Sequence, residues 1–224
     1  MKKSALLVLI IGASILIVGI AYAGVSGSKH DFSIGGTSGF QADTETEVCI
    51  FCHTPHGASD VPLWNKTTNS TGYTMYNSTV SSTLDATVPT APTGVSLLCM
   101  SCHDGVSAIN VVVNYGPNGP ISMPAASDQL GDLSYPPSRN PNLTKDLSND
   151  HPVSFIFDTN LITLDAAGGP AQLKLPVAPL KLFVGKLECA TCHDPHEEGK
   201  STGTTPFLRM SNAGSDMCLT CHIK

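Results

Sequence analysis

Four copies of one short pattern, C-x-x-C-H, constrain this chain more than any other feature of its sequence. All eight cysteines fall in such pairs, and a histidine follows each pair directly. Two thiols on one turn can add to the two vinyl groups of one haem, and the next residue then presents its imidazole to the iron. The pattern therefore predicts four haem c groups, each containing iron. The attachment residues are Cys49, Cys52, Cys99, Cys102, Cys189, Cys192, Cys218 and Cys221, and the proximal ligands are His53, His103, His193 and His222.

Zinc binding, disulfide bonding and chance each account less well for the cysteine pattern. Zinc ribbons also use paired cysteines, but they need no histidine after each pair. Disulfides form in exported proteins, although four bridges that each close a single turn would be an unusual scaffold. Chance would have to put a histidine after the pair four times in a chain that has eight histidines in 224 residues. Haem attachment is the interpretation that all four copies favour.

The remaining histidines equal in number the sixth coordination positions of four irons. They are His30, His56, His151 and His196. Methionine is the alternative axial ligand, but Met100 and Met217 lie inside or beside attachment motifs, and the other methionines share no arrangement. We therefore expect two histidines at every iron.

Two of the motifs continue in the same way, as C-x-x-C-H-x-P-H. The thioethers at Cys49 and Cys52 hold His53 beneath its own haem. Three residues of chain, one of them a proline with fixed φ, cannot carry His56 to the opposite face. His56, and by the same argument His196, should each ligate a haem other than the one attached just before it. The repeat also divides the chain into an N-terminal dihaem module, residues 24–120, and a C-terminal dihaem module, residues 121–224.

Three aspartates, Asp31, Asp104 and Asp194, adjoin ligating histidines in the sequence. A carboxylate next to an imidazole can accept its outer N–H and so strengthen the ligand. The alternative for each aspartate is a solvated carboxylate in a loop.

The N-terminus has the features of a signal peptide, residues 1–23. Lys2 and Lys3 precede an apolar run at 5–20, and Ala21-Tyr22-Ala23 then offers the small residues of a cleavage site. The alternative is an uncleaved membrane anchor, but a bilayer span needs roughly 20 apolar residues. We expect a secreted, extracellular protein, with the periplasm as the alternative location.

Charge excludes two classes of partner. Cleavage would remove two of the 12 basic residues and none of the 18 acidic ones. An acidic mature chain repels nucleic acid and anionic lipid. We therefore expect no nucleic-acid partner, and no membrane partner after signal cleavage.

Composition predicts a fold with little regular structure. The chain has 20 glycines, 16 prolines and only 6% aromatic residues, and such turn formers interrupt helices and strands. We expect mostly irregular loop with short helices and a few short strands, as a multihaem cytochrome c wrapped around a stacked haem chain. The attachment motifs should lie on single helical turns or short helices, and residues 153–157 and 181–187 on short strands. Residues 117–141 indicate an irregular connection, or simple disorder.

Several segments together resemble a known family. They are His30-Asp31-Phe32-Ser33, residues 49–56, Pro62-Leu63-Trp64-Asn65, residues 99–105, His151-Pro152-Val153 and residues 189–196. The chain is similar here to the tetrahaem filament-forming cytochromes of metal-reducing bacteria, the cytochrome nanowires. The likeness covers most of the mature chain and is concentrated at the haem motifs. It implies bis-histidine haems in alternating parallel and T-shaped stacks, a backbone that is nearly all loop, and a histidine from one subunit that ligates a haem of the next.

Three classes of function are consistent with four haems. The first is electron transfer, either as the subunit of an extracellular conductive filament or as a soluble periplasmic carrier. The second is a multihaem reductase, which needs an iron with an open position, whereas the histidine count closes every iron. The third is a structural protein stapled by its haems. We expect electron transfer and no enzyme activity, with other redox cytochromes or extracellular acceptors as partners.

The resemblance, together with the position of His30, predicts a homopolymer. His30 follows a small and flexible arm, residues 24–29, near the expected new N-terminus. We expect this arm to donate His30 to a haem of the adjacent subunit. The alternative is that His30 folds back onto its own chain.

Overall fold

The computed structural model describes residues 24–58, 61–124, 128–131, 140–170, 172–198 and 207–223. The predicted signal peptide, residues 1–23, lies outside the described residues, as do parts of the predicted connection 117–141. Within the described ranges, no helix combines the length and the apolar character needed to cross a membrane.

The helices of the described part are short. Helix α1 spans Gly94–His103, α2 spans Thr159–Ala167 and α3 spans Cys189–Cys192. Helix α2 begins after Asp158, whose carboxylate accepts hydrogen bonds from the first free backbone N–H groups of the helix. Two 3-10 turns follow at Ala213–Ser215 and Cys218–Thr220. Most of the remaining described backbone is turn or irregular, so the predicted loop-rich fold with short helices and few short strands is confirmed.

The strands are two residues long. Strand β1, Thr74–Met75, pairs in parallel with β2, Asp146–Leu147. Strand β3, Phe155–Ile156, pairs antiparallel with β4, Lys186–Leu187, so that Phe155 lies opposite Leu187.

The strands predicted at 153–157 and 181–187 contain β3 and β4, but the observed strands are shorter. Ser154 has φ of 69°, Val184 of 52° and Gly185 of 74°. These values lie in the left-handed region, which a β-ladder does not accommodate. The backbone therefore leaves the strand conformation just before β3 and just before β4.

Among the described residues, buried apolar side chains collect in three small groups. Each group packs beside a different part of the C-x-x-C-H series. Met75 and Met100, two of the possible axial ligands, are buried in one of them and make apolar contacts there. The N-terminal cluster consists of Phe32, Phe40, Ala42, Phe51, Ile109, Val112, Ile121 and Leu130, the C-terminal cluster of Phe155, Phe157, Leu161, Leu187 and Cys221, and the methionine cluster of Met75, Met100 and Leu147.

Contacts cross the proposed module boundary at several places. Strand β1 pairs with β2 from the other side of the boundary, and helix α1 packs against α3. Ile121 and Leu130 also belong to the N-terminal cluster. The division at residue 120 stays a prediction, and the described parts of the two modules are packed together.

Candidate functional site

Each C-x-x-C-H motif forms a tight turn that brings its histidine back over the first cysteine. The backbone N–H of His53 donates to the carbonyl of Cys49 at 2.8 Å, and that of His222 donates to Cys218 at 2.9 Å. The third motif repeats this contact, and the second lies within helix α1. All eight cysteines are free thiols. Two thiols and one imidazole are thus available on each turn.

The cysteines of successive motifs lie near one another. The thiols of Cys99 and Cys189 are within hydrogen-bond distance. Burial, and then the nearby Cys102, raises the pKa of Cys52 to about 12. The four attachment sites therefore form a series in chain order.

The third and fourth motifs meet in the same way. Burial, and then the nearby Cys221, raises the pKa of Cys192 to about 11. Buried thiols with raised pKa values stay protonated at neutral pH and are poor nucleophiles. Among the residues that the structure describes, no three or more His, Cys, Asp or Glu side chains form a metal site built from protein ligands alone.

Three proximal histidines face a second histidine across a gap of nearly constant width. The ring centroids of His53 and His196 are 6.0 Å apart, and the planes differ by 15°. The second and fourth motifs show the same relation at steeper angles. His103 faces His30 at 6.1 Å and 66°, and His222 faces His151 at 6.4 Å and 71°.

This spacing fits haem iron. Metal–imidazole bonds are about 2 Å long, so two rings on opposite sides of one ion have centroids about 6 Å apart. The buried indole Nε1 of Trp64, whose ring lies edge-on to His53, has no acceptor among the described residues. A haem propionate is a suitable acceptor for such a group. The paired histidines and the adjoining thiols thus fit a covalently bound haem.

Backbone carbonyls orient three of these histidines. The Nδ1 atom of His53 lies 3.3 Å from the carbonyl of Leu63, and that of His103 lies 2.7 Å from the carbonyl of Pro141. His151 uses the carbonyl of the next residue at 2.9 Å. A carbonyl only accepts, so Nδ1 carries the proton and Nε2 is left to bind iron. The sequence did not predict these partners. Every residue has a backbone carbonyl, so no residue type marks the ones that bind a histidine.

Only one of the three aspartates lies close to a histidine ring. Asp194 is 3.4 Å from Nδ1 of His196 and pairs with Arg209 at 2.8 Å. Asp31 accepts from Gly27 and Ser33 instead. Asp104 likewise accepts from the backbone and hydroxyl groups just after it in the chain. These two carboxylates stabilise loops.

His30 folds back onto its own chain. Its ring stacks on Phe207 at 4.3 Å, in addition to facing His103. The backbone N–H of Lys29 donates to Glu198 at 3.0 Å. Burial, and then the nearby His103, lowers the pKa of His30 to about 4, so its imidazole is neutral, as a metal ligand must be. Within the single chain, this is the placement that the alternative expects, and the donation of His30 to an adjacent subunit stays a prediction.

His56 and His193 are left without a facing histidine. All eight histidines lie in the described ranges, and neither of these two has another imidazole opposite it at the spacing of the other pairs. His56 is exposed, and its carbonyl accepts from Thr54 and Asn114, which hold its loop in place.

Comparison with known proteins covers the end of the chain. Residues 183–224 match the family described as the doubled CXXCH motif, and this segment holds the third and fourth motifs. No curated protein is similar enough to the chain to count as a match. The matched family and the geometry of the motifs indicate a multihaem c-type cytochrome, which binds haem c covalently and transfers electrons.

Proposed function

We propose that the chain carries four bis-histidine haems and works as the subunit of an extracellular conductive filament. The observation that carries the haem assignment is the constant gap between three histidine pairs, 6.0 to 6.4 Å between ring centroids. The nearness of cysteines from successive motifs supports a continuous electron path through the subunit.

The sixth ligands follow from the facing pairs. We assign His196 to the iron of the first motif, His30 to that of the second and His151 to that of the fourth. A bound haem supplies a one-electron iron(III)/iron(II) couple. Backbone carbonyls orient His53, His103 and His151 through the outer N–H, and two facing imidazoles would keep water from an iron held between them. An iron closed on both sides suits electron transfer and does not suit the reduction of a small substrate.

Replacing His196 with alanine should open the iron of the first motif. We expect one low-spin signal to become high-spin in the electron paramagnetic resonance spectrum of the oxidised protein, since the facing imidazole is lost. Asp216→Ala, at an exposed position, is the control and should leave every iron low-spin.

A second variant identifies the affected iron. In a chain that also carries Cys49→Ala and Cys52→Ala, the first haem is missing, so His196→Ala should add no high-spin signal. A high-spin signal that persists in this background would assign His196 to another iron.

The ligands of the iron at the third motif support assembly. Three pairs form within one chain, while His56 and His193 remain, and His56 is exposed. The resemblance implies that one histidine passes between subunits. Of the four distal histidines, His56 is the one that is left without an iron in its own chain. We therefore assign His56 to the iron at His193 of a neighbouring subunit, in place of the role expected for His30.

Electron microscopy of the purified, haem-loaded protein tests the filament directly. Assembly through His56 should give long filaments of uniform width. Dispersed particles of single-subunit size with four low-spin irons would support the soluble periplasmic carrier instead.

A further inference from the structure

Two side chains of opposite charge lie in the interior beside the attachment cysteines. Lys66 and Glu188 are each only 2% exposed. Charged side chains are rarely buried to this extent unless hydrogen bonds compensate for the lost water. Both side chains have hydrogen-bond partners that replace the lost water and that favour the charged form of the side chain.

Lys66 is held by backbone carbonyls. Its Nζ donates to Ala108 at 2.8 Å, to Ile109 at 3.1 Å and to Val111 at 2.9 Å. Three acceptors match the three N–H donors of an ammonium group. The contacts thus favour a charged lysine inside the protein.

The position of this ammonium group is between the first and second motifs. The neighbouring residue, Asn65, donates its backbone N–H to the carbonyl of Cys52 at 2.9 Å. Burial raises the pKa values of Cys52 and Cys102, and the charge of Lys66 partly offsets both shifts. Lys66 is therefore close to Cys52 of the first motif and to Cys102 of the second.

Glu188 is held entirely by donors. Its carboxylate accepts from the hydroxyl and backbone N–H of Ser96, from the Ser154 hydroxyl at 3.0 Å and from the backbone of Thr191. Acceptance from every partner is the pattern of an ionised carboxylate. A Cβ at Gly94 would lie 2.8 Å from Oε1 of this carboxylate, so glycine leaves room for it.

The carboxylate of Glu188 lies between the second and third motifs. Glu188 directly precedes Cys189 and caps helix α3. Its partner Ser96 belongs to helix α1, which carries Cys99 and Cys102. The hydroxyl of Ser96 also accepts from the backbone N–H of Cys189 at 2.9 Å.

A buried charge changes the reduction potential of an iron near it. A cation favours the reduced iron, which carries one positive charge fewer, and an anion favours the oxidised iron. The effect is large in the interior, because neither water nor salt screens the charge well there.

We propose that Lys66 and Glu188 tune the haem series, so that Lys66 raises the potential at the first motif and Glu188 lowers it at the third. The second motif lies between the two charges and takes an intermediate value. The proposal rests on the proposed electron-transfer function. It gives the series a built-in direction, with electrons stabilised toward the first motif.

Spectroelectrochemical titration of the haem-loaded protein tests this. Lys66→Met should shift the high-potential end of the titration curve downward, and Glu188→Gln should shift the low-potential end upward. The double variant should span a narrower range than the unaltered protein. Lys181→Met and Asp85→Asn remove the same charges at exposed positions and should give much smaller shifts.

Haem count and spin state, measured on the same samples, separate this proposal from the proposed function. If the unaltered protein holds four low-spin haems but Glu188→Gln shifts no more than Asp85→Asn, the tuning proposal is overturned and the tetrahaem assignment stands. Lys66→Arg keeps the charge and should keep the high-potential end, which separates a charge effect from a packing effect. If Lys66→Met does not fold, the shift in potential caused by Glu188→Gln decides whether buried charge tunes the haems. The glutamine amide has nearly the same shape as the glutamate carboxylate, so this variant should fold.

Discussion

Replacing His56 with alanine should abolish filament assembly and leave one high-spin iron in each subunit. In the proposed assembly, His56 closes the iron at His193 of a neighbouring subunit, so its loss removes a metal–ligand bond from every subunit contact. The subunit itself should still fold, because His56 is exposed and its loop is held through its backbone carbonyl. Size-exclusion chromatography and electron microscopy measure the loss of assembly, and electron paramagnetic resonance measures the spin change.

His30→Ala is the matched control for this experiment. It also removes one imidazole and should also produce one high-spin iron, but at the second motif and inside the subunit. Filaments should persist, because His30 faces His103 of its own chain. If His56→Ala still forms filaments and His30→Ala gives single subunits, then His30 is the ligand that passes between subunits.

Replacing Cys189 and Cys192 with alanine should reduce the haem count from four to three and strongly destabilise the protein. Thioether bonds hold each haem, so the haems of the unaltered protein should survive extraction with acidified acetone. The third site lies at the packed pair of helices α1 and α3, with Cys99 of the second motif beside Cys189. Loss of the haem there removes apolar surface from the centre of the series.

Mass spectrometry of the intact protein gives the haem count, and thermal unfolding followed by circular dichroism gives the stability. Met100→Leu is the control, since Met100 is a buried residue between the two cysteines of the second motif but takes no part in attachment; it should keep four haems. Retention of four haems after loss of both cysteines would contradict covalent attachment at this motif.

The attachment sites could be predicted from the sequence because their chemistry is local. Cys49, Cys52 and His53 lie on one turn, and the geometry of that turn is independent of the rest of the fold. The count of histidines likewise predicts two ligands per iron, and three of the four expected pairs face each other in the structure. Which distal histidine serves which iron depends on residues far apart in the chain, such as His53 and His196, and nothing in the sequence pairs them.

Contacts between distant segments decided the features that the sequence did not predict. The small residues before His30 suggested a free arm, yet Phe207 and Glu198 hold the arm against its own chain. The β3 and β4 positions were predictable, but Ser154 shortens the pairing through its positive φ. Lys66 is an ordinary lysine in a loop until the fold brings three carbonyls around it.

The facing of His53 and His196 has a consequence for folding. Most of the chain separates these two residues, and an iron bound by both would close a very long loop. Such cross-links stabilise a protein by restricting its unfolded ensemble, and long loops have the largest entropy to lose. Coordination by the pairs His30–His103 and His151–His222 would close further loops, and both of these overlap the first one. Under the proposed ligand assignment, neither half of the chain completes all of its own irons, so the subunit should unfold as one cooperative unit. A chain cut before its last motifs should be cleared by proteases.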